Sequence, residues 1–460
     1  MAAKDRTSAM GRYSKLNGKC SASLGLLFAF AGCNGLVPSP AVPAPSNGAI
    51  HLTGSVALHE TVLHSFGGPD GAAASDGMIA GKAGAFYGTT LFGGGSSGGA
   101  GTVFELAPRG SGYTESVLYS FKSGYDGSTP EGIVLRDGAF YGVTFAGGNP
   151  SGNGGLGWGT IFKLSPGKSG YTETVLYRFR GGLDAWEPLG PIVLDKAGNI
   201  YGASAFGGSQ NDGAVFKLTR GASGYTESLL YSFPGGAGGN LPEAGVTIDK
   251  YGSIYGTTMY GGSAQGFCDG GCGTVYKLTL GKSSYSESVI FTFDGVDGDL
   301  PYGAVTVDER SGAVFGTTYW GGTKRVGTFF ELTPNGSSYT ERVLHSFTGK
   351  ADGFLPEGTP LLEPDGALYG TAALGGGGCH GIGCGVVFGL TPSDAHYAFH
   401  VAYDFRAPIH GAEPEQTNLL TDASGALYGT TRSGGSATNC ADGGPGGAKG
   451  CGVVFKLTQQ

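Results

Sequence analysis

The chain has 460 residues, of which 93 are Gly, 11% are aromatic and only 14% are charged, with a formal charge of −8. So much glycine without a Gly-X-Y period excludes collagen, and the aromatic content excludes simple disorder. The acidic balance excludes a non-specific nucleic-acid binder, the more so because removing residues 1–32, with five Lys or Arg and one Asp, leaves −12.

The chain starts with a basic region, Lys4, Arg6, Arg12, Lys15 and Lys19, followed by an apolar run from Leu24 to Ala31 that is too short to span a bilayer. The stretch Phe30-Ala31-Gly32-Cys33 resembles a bacterial lipobox, although Phe30 stands where Leu is usual. This predicts a lipoprotein signal peptide over 1–32 and acylation of Cys33. Residues 33–55, rich in Pro, Ala, Ser and Gly, then form a flexible tether. An ordinary signal peptide cut nearby is the alternative. The expected partner is the membrane, through the lipid anchor, in the bacterial envelope; Asn34 points to the outer membrane by resemblance to lipoprotein sorting.

From residue 56 onward three boxes recur seven times in fixed order. The first is Tyr-Thr-Glu-Ser-Val-Leu-Tyr-Ser-Phe at 113–121, with relatives ending at Phe66, Phe179, Phe233, Phe293, Phe347 and Phe405. The second is Tyr-Gly-Thr-Thr at Tyr87, echoed at Tyr141, Tyr201, Tyr255, Phe315, Tyr369 and Tyr428. The third is Gly-Thr-Val-Phe-Glu-Leu at 101–106, echoed at Gly159, Gly213, Gly273, Gly327, Gly385 and Gly452. A short apolar run between the first and second boxes, such as 132–135, makes four strands per repeat of about 57 residues, each bounded by Gly, Pro, Asn or Asp. Four short antiparallel strands bury their faces when such sheets stack radially into a ring, so the fold class is all-β, a seven-bladed β-propeller. A β-solenoid is the alternative, but its coils are shorter and parallel. The blades fall at about 67–121, 122–179, 180–233, 234–293, 294–347, 348–405 and 406–460. Residues 56–66 complete the last one by pairing with 452–457.

Over about 57–457 these boxes resemble the bacterial GloVer tandem-repeat family, a set of surface proteins with interchangeable anchors. The resemblance implies no catalytic activity. The strand order is also similar to that of kelch propellers.

Third-box aromatic to next first-box Phe is 17 residues in all six cases, whereas second box to third box ranges from 15 to 27. The loop between strands 2 and 3 absorbs the variation, and in an antiparallel meander it shares a face with the connection to the next blade. Trp158, Trp186 and Trp320 fall in or beside these segments and are the candidate ligand-binding residues. Aromatics before the Gly-Gly pairs, Phe92, Phe206 and Tyr260, are expected to seal blade against blade. The opposite face, with its fixed turns, offers little for recognition.

Within the same loops Cys268 pairs with Cys272, Cys379 with Cys384 and Cys440 with Cys451 as expected disulfides. No metal is expected, since only His380 lies beside a pair, and no cofactor fingerprint stands in a convincing context. Asp126, Asp184, Asp297 and Asp352 read as turn caps, and Glu115, Glu173, Glu227, Glu287 and Glu341 as a solvated outer edge. The leading functional expectation is a non-catalytic binding propeller for a glycan, peptide or protein. A glycan lyase or hydrolase with carboxylates at the channel mouth, and a purely architectural surface protein, are the alternatives.

Overall fold

The computed structural model describes residues 58–459, apart from 75, 96–98, 263–267, 269, 283, 394–395, 407–408, 438–439 and 441–448. The expected leader, Cys33 and the tether lie outside the described residues. The described residues form seven antiparallel sheets of four strands, the first strand of the sixth being split in two, and a two-stranded ladder in blade 7, Gly411–Ala412 with Ser433–Gly434, with five short 3₁₀ turns and no longer helix. This is a seven-bladed β-propeller. Blade 2 is representative: Ser128–Arg136, Ala139–Ala146, Thr160–Gly167 and Gly170–Arg178, each antiparallel to the one before. The ring closes as the repeat phase requires, because His59–Ser65 pairs antiparallel with Val453–Thr458 and becomes the outer strand of blade 7.

The three boxes are one device for joining blades. The first-box Phe of each blade is at most 3% exposed. It meets the third-box aromatic of the next blade edge to face, as in Phe66–Phe104 at 5.1 Å, Phe179–Phe216 at 5.3 Å and Phe405–Phe455 at 5.1 Å. That aromatic fits because the second box supplies a glycine beneath it. A Cβ at Gly202 would lie 2.5 Å from the Phe216 ring, and one at Gly429 the same distance from Phe455. Edge-to-face pairs contribute about 0.5–1.5 kcal/mol each beyond their burial, and this one repeats at all seven junctions.

A second junction runs near the axis. Where the chain enters each blade, at or ahead of its first strand, one residue is left-handed without being glycine: Ala73, Thr129, Glu187, Leu241, Leu300, Leu355 and Glu413 have φ between 52° and 59°. Its N–H donates to the carbonyl just before the third-box Gly of the preceding blade, for example Thr129 to Ala100 at 2.8 Å and Leu300 to Cys272 at 3.1 Å. In six blades the next residue is Pro, whose ring packs on that Gly. Each left-handed residue costs about 1–3 kcal/mol, and the hydrogen bond and proline contact hold it there.

The disulfides Cys268–Cys272, Cys379–Cys384 and Cys440–Cys451 are formed, and the second cysteine of each supplies the acceptor carbonyl of this latch. They close short loops, so reducing any one is expected to lower stability by only about 1–3 kcal/mol. Denaturant titration with and without reductant checks this, and global unfolding by reductant alone would contradict it.

The glutamate column departs from the solvated edge that its repetition suggested. Glu115, Glu173, Glu227, Glu287 and Glu341 are half-buried, and Oε1 of each is enclosed without a hydrogen-bond partner. The cause is close packing at the blade junctions, which sets Glu173, Glu227 and Glu341 beside Asp126, Asp184 and Asp297 of the connections that lead in from the preceding blades. The aspartates do cap turns. Asp126 accepts from Lys122 N at 2.7 Å and Tyr119 Oη at 2.6 Å, and Asp184 from Arg180 N at 2.9 Å and Tyr177 Oη at 3.0 Å.

Candidate functional site

The variable 2–3 loops and blade connections share one face of the ring. Among the described residues nine large apolar side chains are exposed, and six of them, Tyr125, Leu156, Leu183, Val296, Ile382 and Ile409, lie on this face. Three of the six belong to the loop of blade 2 and the connections on either side of it. Leu183 and Tyr125 are 76% and 65% exposed.

Next to them the structure brings Trp158 and Trp186 together. Their rings are 4.8 Å apart in an edge contact, and Trp186 stacks on Phe206 at 4.5 Å. Strand pairing places Trp186 opposite Phe206, and the Trp186 Nε1–H donates to Asn211 Oδ1 at 3.1 Å. Trp158 is half-buried, and its indole takes the backbone of Gly152 and Gly181 at close range. Asn153 Nδ2 donates to Glu187 Oε1 at 2.8 Å across the same junction. Trp320 is elsewhere, in an apolar group with Tyr302, Tyr319, Leu355 and Leu374 from blades 5 and 6.

Phe92 and Phe206 do more than seal neighbouring blades. With Phe145, Leu189 and Leu241 they belong to one apolar group drawn from blades 1 to 4. The first strands also carry acids that are nearly inaccessible: Asp76 5%, Glu131 0%, Glu187 8%, Glu357 2%, Glu413 0% and Glu415 1% exposed. Burial lifts Asp76, Glu187 and Glu243 to about 7. Burial, then the charge of Asp76, holds Glu131 well above the carboxylate range, and burial, then Glu415, does the same for Glu357. Raised carboxyls suit proton transfer, yet Asp76, Glu131, Glu187, Glu357, Glu413 and Glu415 expose too little surface to meet a polymeric substrate, and Glu243 is only partly buried. Sequence reasoning missed all of these acids except as an unlocated alternative. The signal was the acid after the inner Pro, at Glu131, Glu243, Glu357 and Glu415.

The opposite face is less bare than its fixed turns suggested. Between blades 4 and 5 it holds a cleft of about 430 Å³ lined by Tyr251, Tyr255, Lys277, Glu309, Arg310 and Tyr339 among others. Its core is repeat geometry: Lys277 Nζ lies 5.0 Å from the Tyr255 ring centroid, as Lys217 does over Tyr201 at 5.2 Å and Lys456 over Tyr428 at 5.1 Å.

Together these features define a closed repeat propeller with one loop-built, partly apolar face. The chain belongs to the Gloeobacter/Verrucomicrobia repeat family, whose model matches residues 46–268 and 260–460. No curated protein matches it. Among solved structures it is similar to a candidate 6-phosphogluconolactonase from Bacteroides uniformis, at 11% identity and a TM-score of 0.47, over 72% of this chain and 85% of that one. It is also similar to a candidate oxidoreductase (glucose dehydrogenase) from Thermus thermophilus, at 12% identity and 0.38, over 87% and 100%. A third is a protein of unknown function from Dyadobacter fermentans, at 12% identity and 0.40, over 87% and 98%.

Proposed function

We propose that this protein is a non-catalytic, envelope-anchored scaffold whose loop face binds a glycan, peptide or protein at blades 2 and 3. The observation that carries the reading is the concentration of exposed apolar side chains on that face, beside the Trp158–Trp186–Phe206 stack. Scattered apolar residues are ordinary on a soluble surface, whereas a group of them on variable loops is the usual mark of recognition. The inaccessibility of Asp76, Glu131, Glu187, Glu357, Glu413 and Glu415 favours this over a glycan-cleaving enzyme.

A glycan array and a pull-down with the full chain would supply a ligand. Trp158→Ala and Trp186→Ala are each then expected to weaken it at least about tenfold, roughly 1.4 kcal/mol. Because Trp158 also packs against Gly152 and Gly181, Leu183→Asp is the cleaner probe, and should weaken binding with the melting temperature unchanged. Tyr251→Ala, on the other face, should leave binding intact; the reverse pattern would contradict the reading.

The anchor is part of the same proposal and rests on Phe30-Ala31-Gly32-Cys33. Cys33→Ser is expected to move the protein from the membrane to the soluble fraction, and unchanged fractionation would rule the anchor out.

A further inference from the structure

The junction at which the ring closes carries a set of side chains that no other junction repeats. Between blades 1 and 2, Tyr119 near the end of one outer strand donates to Asp126 of the connection at 2.6 Å, and Glu173 of the next outer strand lies beside that aspartate. Tyr177, Asp184 and Glu227 do the same one blade further on. Where blade 7 meets blade 1, strand register puts His64 in the place of Tyr119 and leaves the two acids, as Asp70 and Glu115. Tyr177, Tyr231, Phe291 and Tyr403 hold the same place in four other blades. His345 holds it in the fifth, but there Phe399 stands where the next glutamate would be, and it stacks on the imidazole at 3.6 Å. An imidazole therefore meets both carboxyls at one junction alone.

The three side chains converge. His64 Nε2 is 3.0 Å from Asp70 Oδ2, while the other oxygen of Asp70 accepts from Gly67 N at 2.7 Å and so fixes the carboxylate. One donor atom from each of His64, Asp70 and Glu115 lies within 4.8 Å of the other two. Ligand distances of about 2.0–2.2 Å put the donors of one zinc ion up to roughly 4 Å apart, so a shift of less than about 1 Å closes the set. We propose that a transition-metal cation of the zinc class binds His64 Nε2, Asp70 Oδ2 and one carboxylate oxygen of Glu115. It ties the closing strand of blade 7 to blade 1. Three protein ligands leave a position for water, and the side chains of His64 and Asp70, 20% and 27% exposed, leave the ion a way in from solvent. One nitrogen with two carboxylates suits Zn²⁺ or Co²⁺ better than Ca²⁺ or Mg²⁺, which call for six or more oxygens.

Burial lifts Glu115 to about 7, with the charge of His64 acting against it, so the ion displaces a proton and the titration belongs at about pH 8. The untagged full chain, stripped with EDTA, is dialysed against ZnCl₂, CoCl₂ or CaCl₂. A single Zn²⁺ should bind per chain and raise the melting temperature by several degrees, Co²⁺ should bind in its place with visible absorption, and Ca²⁺ should do neither. His64→Tyr, which restores the side chain found at four other junctions, should fold normally and lose the zinc and the shift. Glu115→Gln should lose both as well, whereas His345→Tyr should keep both. Failure of the native chain to bind Zn²⁺ would overturn the proposal and leave His64 and Asp70 as a hydrogen-bonded turn. Zinc bound as tightly by His64→Tyr or Glu115→Gln, or lost equally from His345→Tyr, would overturn it too, since the ion would then sit elsewhere. If Glu115→Gln fails to fold, His64→Tyr decides.

Discussion

Gly213→Ala is expected to break the junction between blades 3 and 4 and to destabilise the protein more than any surface change. Gly213 has φ 97°, and a Cβ there would lie 2.3 Å from Pro242 Cδ and 2.8 Å from the carbonyl oxygens of Ser204 and Ala205. A left-handed alanine costs about 1–2 kcal/mol. Forcing a methyl into a filled junction typically adds about 1–3 kcal/mol. Neither the proline ring nor the strand carbonyls can swing aside as a flexible side chain would. Gly224→Ala is the control, because that glycine is also left-handed at φ 130° but meets nothing within 4 Å. Urea titration should show a much larger loss for Gly213→Ala than for Gly224→Ala. Equal losses would mean that the glycine–proline contact does not hold the blades.

Stability is expected to fall as pH rises from about 4.5 to 7, the reverse of the usual acid sensitivity. Burial lifts Glu115, Glu173, Glu227 and Glu341 from 4.5 to about 7, and lifts Glu187 and Glu243 to the same level. Between those values the folded chain keeps protons that the unfolded chain has released, so each unit of rising pH favours unfolding, and the loss levels off above 7. At lower pH the trend inverts. Hydrogen bonds hold Asp195, Asp308, Asp352 and Asp422 below their ordinary value against the opposing effect of burial, and that stability disappears as pH falls through their folded values. The melting temperature, measured in chelator so that cations do not interfere, should peak near pH 4.5–5 and be lower at pH 7.5. Replacing Glu173, Glu227 and Glu341 together by Gln should flatten the descent; an unchanged slope would show that these junction acids ionise freely.

The ring was legible in the chain because each box repeats at a nearly fixed interval. Phe66 and Phe455, at opposite ends, carry the same phase as Phe121 and Phe162, so blade number and the closing strand followed from register alone. Cys272, Cys384 and Cys451 were legible because each stands directly before a third-box Gly. The glutamate column misled because alternation along the outer strand of one blade cannot reveal how closely the next blade approaches. Asp76 and Glu131 were not legible as a pair, since they lie 55 residues apart and meet only through the curvature of the ring. The Trp158–Trp186 contact was legible, because the connection bearing one follows directly from the blade bearing the other. That Phe206 stacks on Trp186 depended on strand pairing that spacing does not specify.

Hydrogen–deuterium exchange on the full chain, with and without a ligand recovered from the array or the pull-down, decides whether recognition belongs to the loop face. Slowed exchange is expected in residues 149–158, 180–187 and 208–212, around Trp158 and Trp186, with the turns of the other face unchanged. Protection confined to residues 249–253, 308–312 and 334–339, which line the opposite cleft, would contradict it.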